Sequence, residues 1–397
     1  MRKLYTIYCD GIEFQTCRKC GIILFKANKK NFREVFILIE YRKILETLRA
    51  YVPGKPIEDV KKEYNLEKVV KLASNENPFG CSPLVKEEIA KCLDVVHIYP
   101  DGNCTELREK LAEKLSVNPT QLIFGAGGDE LISLIGKAMI NPDDECISGI
   151  CSFPQYNGSV ISMGGKMVFS PMPNHAFDLN DILNKITDKT KLIFIANPNN
   201  PTGTVFTNAE QKEFLDKVPE NILVVMDEAY GEFADIETFP NTLQDVKERE
   251  NVLLLKTFSK AYGLASLRVG YGIAGEKLID ILERVRGPFN VTTIAQRAAK
   301  VALSDMEFVN KVVKNNNECA EFLYEELDKM NLGYIKTSAN FIMVDIKQSS
   351  RDAFVKLMKE GYIIRPGYAF GMENYLRVTI GTHDEMDGFI NALKKVL

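Results

Sequence analysis

Four short apolar runs, at residues 122–124, 192–195, 222–226 and 252–255, each break at once into a polar or glycine-rich turn. Stretches of helical spacing separate them. Runs this short and this uniformly apolar fit strands buried on both faces, and regular strand–helix alternation requires crossover connections. The pattern therefore predicts an α/β fold with a mostly parallel central sheet covered by helices. Sheets of this kind bind ligands at the carboxyl ends of their strands, which is where the turns lie.

The texture changes after Pro288. A long helical stretch at about 292–330 leads to Ala339–Asp345, a helix, Tyr362–Gly367, Leu376–Gly381 and a last helix, which predicts a smaller α+β domain. The expected boundaries are an N-terminal extension over 1–42, an arm over 43–78, a large domain over 79–290 and a small C-terminal domain over 291–397. Val35, Leu38, Ile39, Leu45 and Leu48 suggest a helix, ended by the prolines and glycine of Tyr51-Val52-Pro53-Gly54-Lys55-Pro56.

Composition narrows the function classes. The chain has 397 residues, 45% hydrophobic and 26% charged, as expected of an ordinary globular protein of two domains. A net charge of −4 gives no sign of nucleic acid or an anionic membrane as partner. No apolar run approaches the ~18–20 residues of a spanning helix. The start lacks the apolar core and cleavage site of a secretory signal, and nine scattered cysteines read as reduced thiols of a cytoplasmic protein. Cys9, Cys17 and Cys20 stand in residues 1–40, and Cys17 and Cys20 form a CxxC pair. A structural zinc site wants four ligands and no second pair is present, so the extension reads as loosely attached, with no metal.

The turns carry the chemistry. Gly125-Ala126-Gly127-Gly128-Asp129-Glu130 ends one strand run and opens a helix, and N–H groups at such a helix start make an anion site. A dinucleotide fingerprint would need glycine at Glu130. Asn199-Asn200-Pro201-Thr202-Gly203 follows the second run. Asp227-Glu228-Ala229-Tyr230 follows the third, where a carboxylate after five apolar residues is partly buried and calls for a partner. The fourth opens into Thr257-Phe258-Ser259-Lys260, with Arg268 eight residues on.

This order of groups supplies what pyridoxal phosphate requires of a protein. Lys260 is an amine for a Schiff base, and Asp227 is a carboxylate for the ring nitrogen. Asn200 and Tyr230 can bond the ring oxygen, and Tyr156 can stack on the ring face. Gly128, Asp129, Thr257, Ser259 and Arg268 can hold the phosphate. Arg365 and Arg377 lie near the ends of late strand runs. An arginine flanked by Leu376 and Val378 suggests planar recognition of carboxylate or phosphate. His97, His175 and His383 belong to no motif.

Over about residues 43–397 these motifs resemble the fold-type-I pyridoxal-phosphate aminotransferases. Within them the chain is most similar to the histidinol-phosphate aminotransferase family. The strings that carry the closer resemblance are Tyr51–Pro56, Leu72-Ala73-Ser74-Asn75-Glu76-Asn77-Pro78-Phe79-Gly80 and Tyr99-Pro100-Asp101-Gly102. Pro288-Phe289-Asn290-Val291 with Ala295-Gln296, and Leu376-Arg377-Val378-Thr379-Ile380-Gly381, complete them. Two positions depart from the family pattern: Gly127-Gly128 where Ser often precedes the aspartate, and Ser266 where Gly is usual.

The resemblance implies a cytoplasmic homodimer that exchanges an amino group between L-histidinol phosphate and 2-oxoglutarate in histidine biosynthesis. It implies Lys260, Asp227 and Tyr230 as catalytic groups, and Tyr99 on the cofactor phosphate of the neighbouring subunit. Tyr51, Arg365 and Arg377 fall where the family holds the substrate's phosphate or carboxylate. Asn75 is a further candidate substrate contact, with Asn75 or Glu76 toward the imidazole. A phosphothreonine decarboxylase or an aromatic aminotransferase would use the same framework, and at this point both stay open.

Overall fold

Apolar side chains alternate between two cores along the strands of the main sheet. Ile193, Ile195, Val224, Met226, Val252 and Leu254 enter one core, while Leu192, Phe194, Leu223, Val225, Leu253 and Leu255 enter the other. This two-residue period buries a sheet on both faces, as a helix-covered parallel sheet requires. The computed structural model describes residues 54–397, residues 42–48 and 50, and the backbone of 5–9, 12–17 and 22–25.

An N-terminal unit, Met1–Arg49, is separate from Ala50–Leu397. It contains β1 (Tyr5–Cys9), β2 (Ile12–Cys17) and β3 (Ile22–Phe25) in an antiparallel three-stranded sheet. A 3₁₀ turn covers Lys43–Thr47. The rest of the helix expected near 32–48 lies outside the described residues, as do Tyr51, Cys20 and the side chains of Cys9 and Cys17.

The second unit holds two sheets. Its strands are β4 (Val70–Leu72), β5 (Leu122–Gly125), β6 (Glu145–Gly149), β7 (Lys166–Ser170), β8 (Thr190–Ala196), β9 (Leu223–Asp227), β10 (Val252–Thr257), β11 (Gly270–Ile273), β12 (Gly333–Ile335), β13 (Phe341–Asp345), β14 (Tyr362–Pro366) and β15 (Tyr375–Thr379). The larger sheet runs β5-β11-β10-β9-β8-β6-β7. It is parallel from β10 to β7, and β11 is antiparallel to both neighbours. The α/β expectation therefore holds, with one reversed strand that the apolar pattern had not revealed.

The smaller sheet runs β12-β13-β15-β14-β4 and is antiparallel except where β4 joins β14. Its last strand is drawn from some 290 residues upstream of its neighbour, because Val70 aligns with Tyr362 and Leu72 with Ile364. The single long helix expected at 292–330 is two helices, Thr293–Ala302 and Met306–Lys329. Asp305 divides them by accepting the Phe308 N–H at 3.1 Å as an N-cap.

Candidate active site

The turns after β5, β8, β9 and β10 converge with β14, β15 and the segment after β4 around a cavity of about 500 Å³. Gly128, Asp129, Tyr156, Asn200, Asp227, Tyr230, Thr257, Ser259, Lys260, Arg268, Arg365, Arg377 and Asn75 all line it. Tyr99 does not. It is 80% exposed and stacks on Phe289, with ring centroids 4.9 Å apart.

The period of β9 puts Asp227 on the face shared by Leu223 and Val225, and Tyr156 packs on that face. The Tyr156 hydroxyl donates to Asp227 Oδ2 at 2.7 Å, and the Ala229 N–H donates to Oδ1 at 3.1 Å. Burial pushes the Asp227 carboxyl up to about 6 against these two donors. No basic side chain pairs with it among the described residues. A buried carboxylate with an open demand for positive charge fits a protonated pyridine nitrogen.

This geometry corrects the expected stacking role of Tyr156. Its ring lies parallel to Phe194 at 4.6 Å, and its hydroxyl is directed to Asp227. The aromatic that sequence reasoning passed over is Phe153, three residues earlier, which lines the cavity and meets Tyr156 edge-on at 5.7 Å. Helical spacing was the available signal. Phe153 precedes the helix Gln155–Ser162, whereas Tyr156 lies inside it with its side chain turned to the sheet.

Lys260 follows β10 and its Nζ donates to the Ser74 carbonyl at 3.0 Å. Burial brings the amine down to about 8, with Arg377 and Arg268 adding repulsion and Glu76 opposing it. An amine that loses its proton near pH 8 has a sizeable neutral fraction at physiological pH, which makes it a nucleophile and a proton carrier. Lys256, on the opposite face of β10, ties this strand to the segment after Asp227 through Glu232 at 3.0 Å and Glu228 at 3.6 Å.

An anion cradle sits beside these groups. The helix Gly128–Met139 begins at the cavity, and Gly127 takes a φ of +80°. A Cβ there would run into the Arg268 guanidinium. Thr257 Oγ1 and Ser259 Oγ are 3.0 Å apart, and Arg268 donates to Ser259 Oγ at 3.3 Å. Arg268 also pairs with Asp129 at 3.3 Å, with both side chains about half exposed. Hydroxyls, a guanidinium and a helix start make a phosphate-sized set of donors.

Arg377 is buried on β15, directly across from Arg365 on β14. Its Nη1 donates to Asn200 Oδ1 at 2.6 Å and its Nη2 to the Ala73 carbonyl at 2.7 Å. Phe341 and Phe370 flank the guanidinium at 5.4 and 5.2 Å. Phe370 was another cavity residue without a sequence signal. Asn75, expected toward the substrate, has its side chain held by Tyr230 and Thr379. Glu76 lines the cavity and pairs with Lys71 at 2.8 Å.

Comparison with known proteins agrees with this arrangement. The family described as aminotransferase class I and II matches residues 67–393. The histidinol-phosphate aminotransferase of Caldicellulosiruptor saccharolyticus is 48% identical over 357 residues, covering 90% of this chain and all of that protein. Histidinol-phosphate aminotransferase 2 of Carboxydothermus hydrogenoformans is 47% identical, over 90% of this chain and 99% of its own length. The crystal structure of the Sinorhizobium meliloti histidinol-phosphate aminotransferase in complex with pyridoxal 5′-phosphate superposes with a TM-score of 0.83. It is 26% identical and covers 90% of this chain and 97% of that one. With a matching family spanning most of its length and relatives close to half identical, this chain belongs to the class I and II aminotransferases and, among them, to the histidinol-phosphate aminotransferases.

Proposed function

We propose that the protein is a pyridoxal-phosphate-dependent aminotransferase that moves the amino group of L-histidinol phosphate to 2-oxoglutarate, giving imidazole acetol phosphate and L-glutamate, in histidine biosynthesis. One observation carries this reading. The buried Asp227 carboxylate, without a cationic partner among the described residues, faces the same cavity as the buried amine of Lys260.

The residues fit the cofactor. Asp227 would hold the ring nitrogen, Asn200 and Tyr230 the ring oxygen, and Phe153 would offer an aromatic face. Gly128, Asp129, Thr257, Ser259 and Arg268 would hold the phosphate. When bound, pyridoxal phosphate supplies the aldehyde that takes up the amino group and a protonated ring that draws off the electron pair.

Each remaining part of the task falls to the chain itself. Tyr156 orients Asp227 and favours its charged form, since a donor to a carboxylate lowers its affinity for a proton. Lys260, whose amine loses its proton far more readily than an ordinary lysine, takes a proton from the substrate carbon that bears the amino group. Positioned acid–base transfer of this kind gives ~10²–10⁴-fold. Arg365 and Arg377 receive the phosphate of one substrate and a carboxylate of the other, both anions suited to planar donors.

The working unit is a homodimer. Tyr99 and Phe289 stack on each other and are both exposed, an apolar pair at the surface that supports this reading. We place the protein in the cytoplasm, where thiols such as Cys81, Cys92, Cys104, Cys146, Cys151 and Cys319 stay free. We assign a large domain to 79–290 and a small one to 291–397 by the sheet each carries, with β4 crossing from the arm and with Val291, Ala295 and Ala299 reaching back into the core of the larger sheet.

The test is to add pyridoxal phosphate, histidinol phosphate and 2-oxoglutarate to the purified protein and measure glutamate. Glutamate formation is expected. Carbon dioxide release from phosphothreonine, with no glutamate from histidinol phosphate, would overturn the reading.

A further inference from the structure

Asn75 sits with a φ of +55° directly after the segment that joins β4 to the cavity, and it is 1% exposed. Four hydrogen bonds surround it. Its N–H donates to Thr379 Oγ1 at 2.9 Å, and Thr379 Oγ1 donates to its Oδ1 at 3.2 Å. Its carbonyl accepts from Asn340 Nδ2 at 3.0 Å, and its Nδ2 donates to the Tyr230 hydroxyl at 2.9 Å. The Thr379 hydroxyl has a single proton. Having accepted the Asn75 N–H, it delivers that proton to Oδ1, which turns the amide nitrogen toward Tyr230.

Asn200 is oriented in the same way by a different partner. Arg377 can only donate, so Asn200 Oδ1 faces Arg377 and its Nδ2 faces the Tyr230 hydroxyl at 3.3 Å. The Tyr230 oxygen thus accepts from two amides. A phenol oxygen that accepts twice has its own proton left over, and no acceptor for that proton is present among the described residues. Tyr230 lines the cavity.

We propose that Asn75 is a positioning residue: with Asn200 it fills both acceptor sites of the Tyr230 oxygen, so that the phenol proton is directed into the cavity, toward the ring oxygen of the cofactor. This rests on the functional reading above and adds to it a role for Asn75 that acts through the Tyr230 oxygen. A proton donated to the ring oxygen makes that oxygen a poorer partner for the proton on the cofactor's linkage to Lys260. Asn75 therefore helps set the pH at which that linkage loses its proton.

The experiment titrates the visible absorption of the protein loaded with pyridoxal phosphate. Asn75→Ala should move the midpoint upward by about 0.5–1 pH unit, the size expected of one hydrogen bond. Asn75→Asp keeps the shape and tolerates the left-handed backbone, but its carboxylate accepts the phenol proton and draws it away from the cavity. It should move the midpoint further in the same direction. Tyr230→Phe should also raise it, and adding Asn75→Ala to Tyr230→Phe should have no additional effect, because the route through the phenol is already gone. A midpoint unmoved in both Asn75 variants, or an Asn75 shift that persists in full without the phenol, overturns the proposal. A wild-type protein that gains no visible absorption with pyridoxal phosphate overturns the functional reading and this inference with it.

Discussion

The Tyr156 hydroxyl donates to Asp227 Oδ2 at 2.7 Å across the face of the main sheet, so the acid proposed to hold the cofactor is itself held by a tyrosine. Tyr156→Phe keeps the packing on Phe194 and removes only this bond. Asp227 should then ionise at a still higher pH, and affinity for pyridoxal phosphate at pH 7.5 should fall about tenfold or more, for a loss of ~1.5–3 kcal/mol. Cofactor titration by absorbance measures this, and equal affinity in the variant would leave the bond without a role.

Asp227 also links pH to stability in the cofactor-free protein. Its folded value, up to about 6, lies above the 3.8 of an ordinary aspartate, because burial penalises the charge. Between those values the folded chain binds more protons than the unfolded one, so stability declines as pH rises through this window and stays lower above it. Asp227→Asn should therefore make the cofactor-free protein more stable at pH 7.5, by up to ~3 kcal/mol. The gain should vanish near pH 4. Denaturant unfolding at the two pH values checks this, and a variant no more stable than wild type at pH 7.5 contradicts it.

For Lys260 the amine near 8 sets the pH dependence of cofactor capture. Only the neutral amine attacks an aldehyde, so the rate should climb about tenfold per unit at low pH and level off near pH 8. A rate still climbing toward 10.5, the value of an ordinary lysine, would mean that burial does not act on this amine. Lys260→Ala should abolish amino transfer while leaving some cofactor bound.

Tyr99 tests the dimer. If it serves the neighbouring subunit's site, mixing Tyr99→Phe with Lys260→Ala subunits gathers both defects in one site and leaves the other intact. The mixed dimer should recover up to about half of wild-type activity. An impaired Tyr99→Phe protein that gains nothing from this exchange would place Tyr99 away from the partner's cofactor.

The strand-end groups were legible because each lies within a few residues of an apolar run, and local spacing determines which side of a strand a residue faces. Asp227 and Thr257 continue the alternation begun by Val225 and Leu255. What stayed hidden depends on partners far along the chain. Asn75 is expected at the substrate, and nothing near it in sequence reveals its bonds to Thr379 and Tyr230. The motif around Tyr156 names an aromatic and leaves open which way the helix turns it, here onto Phe194 and Asp227. The division at Asp305 was readable, as an acid capping the next helix, but was masked by apolar residues on either side. The pairing of β4 with β14 has no local signal at all.

The bond from Arg377 to the Ala73 carbonyl joins residues 304 positions apart, as do the bonds between Thr379 and Asn75. A ribosome that has made the chain as far as β14 has yet to deliver either long-range partner. The emerging chain can form its main sheet and the turns that carry Asp227 and Lys260, but the wall built from Asn75 waits for the last strand. The growing enzyme therefore displays its reactive lysine before it has a finished pocket, and only the arrival of Arg377 and Thr379 turns an amine in an open cleft into a site.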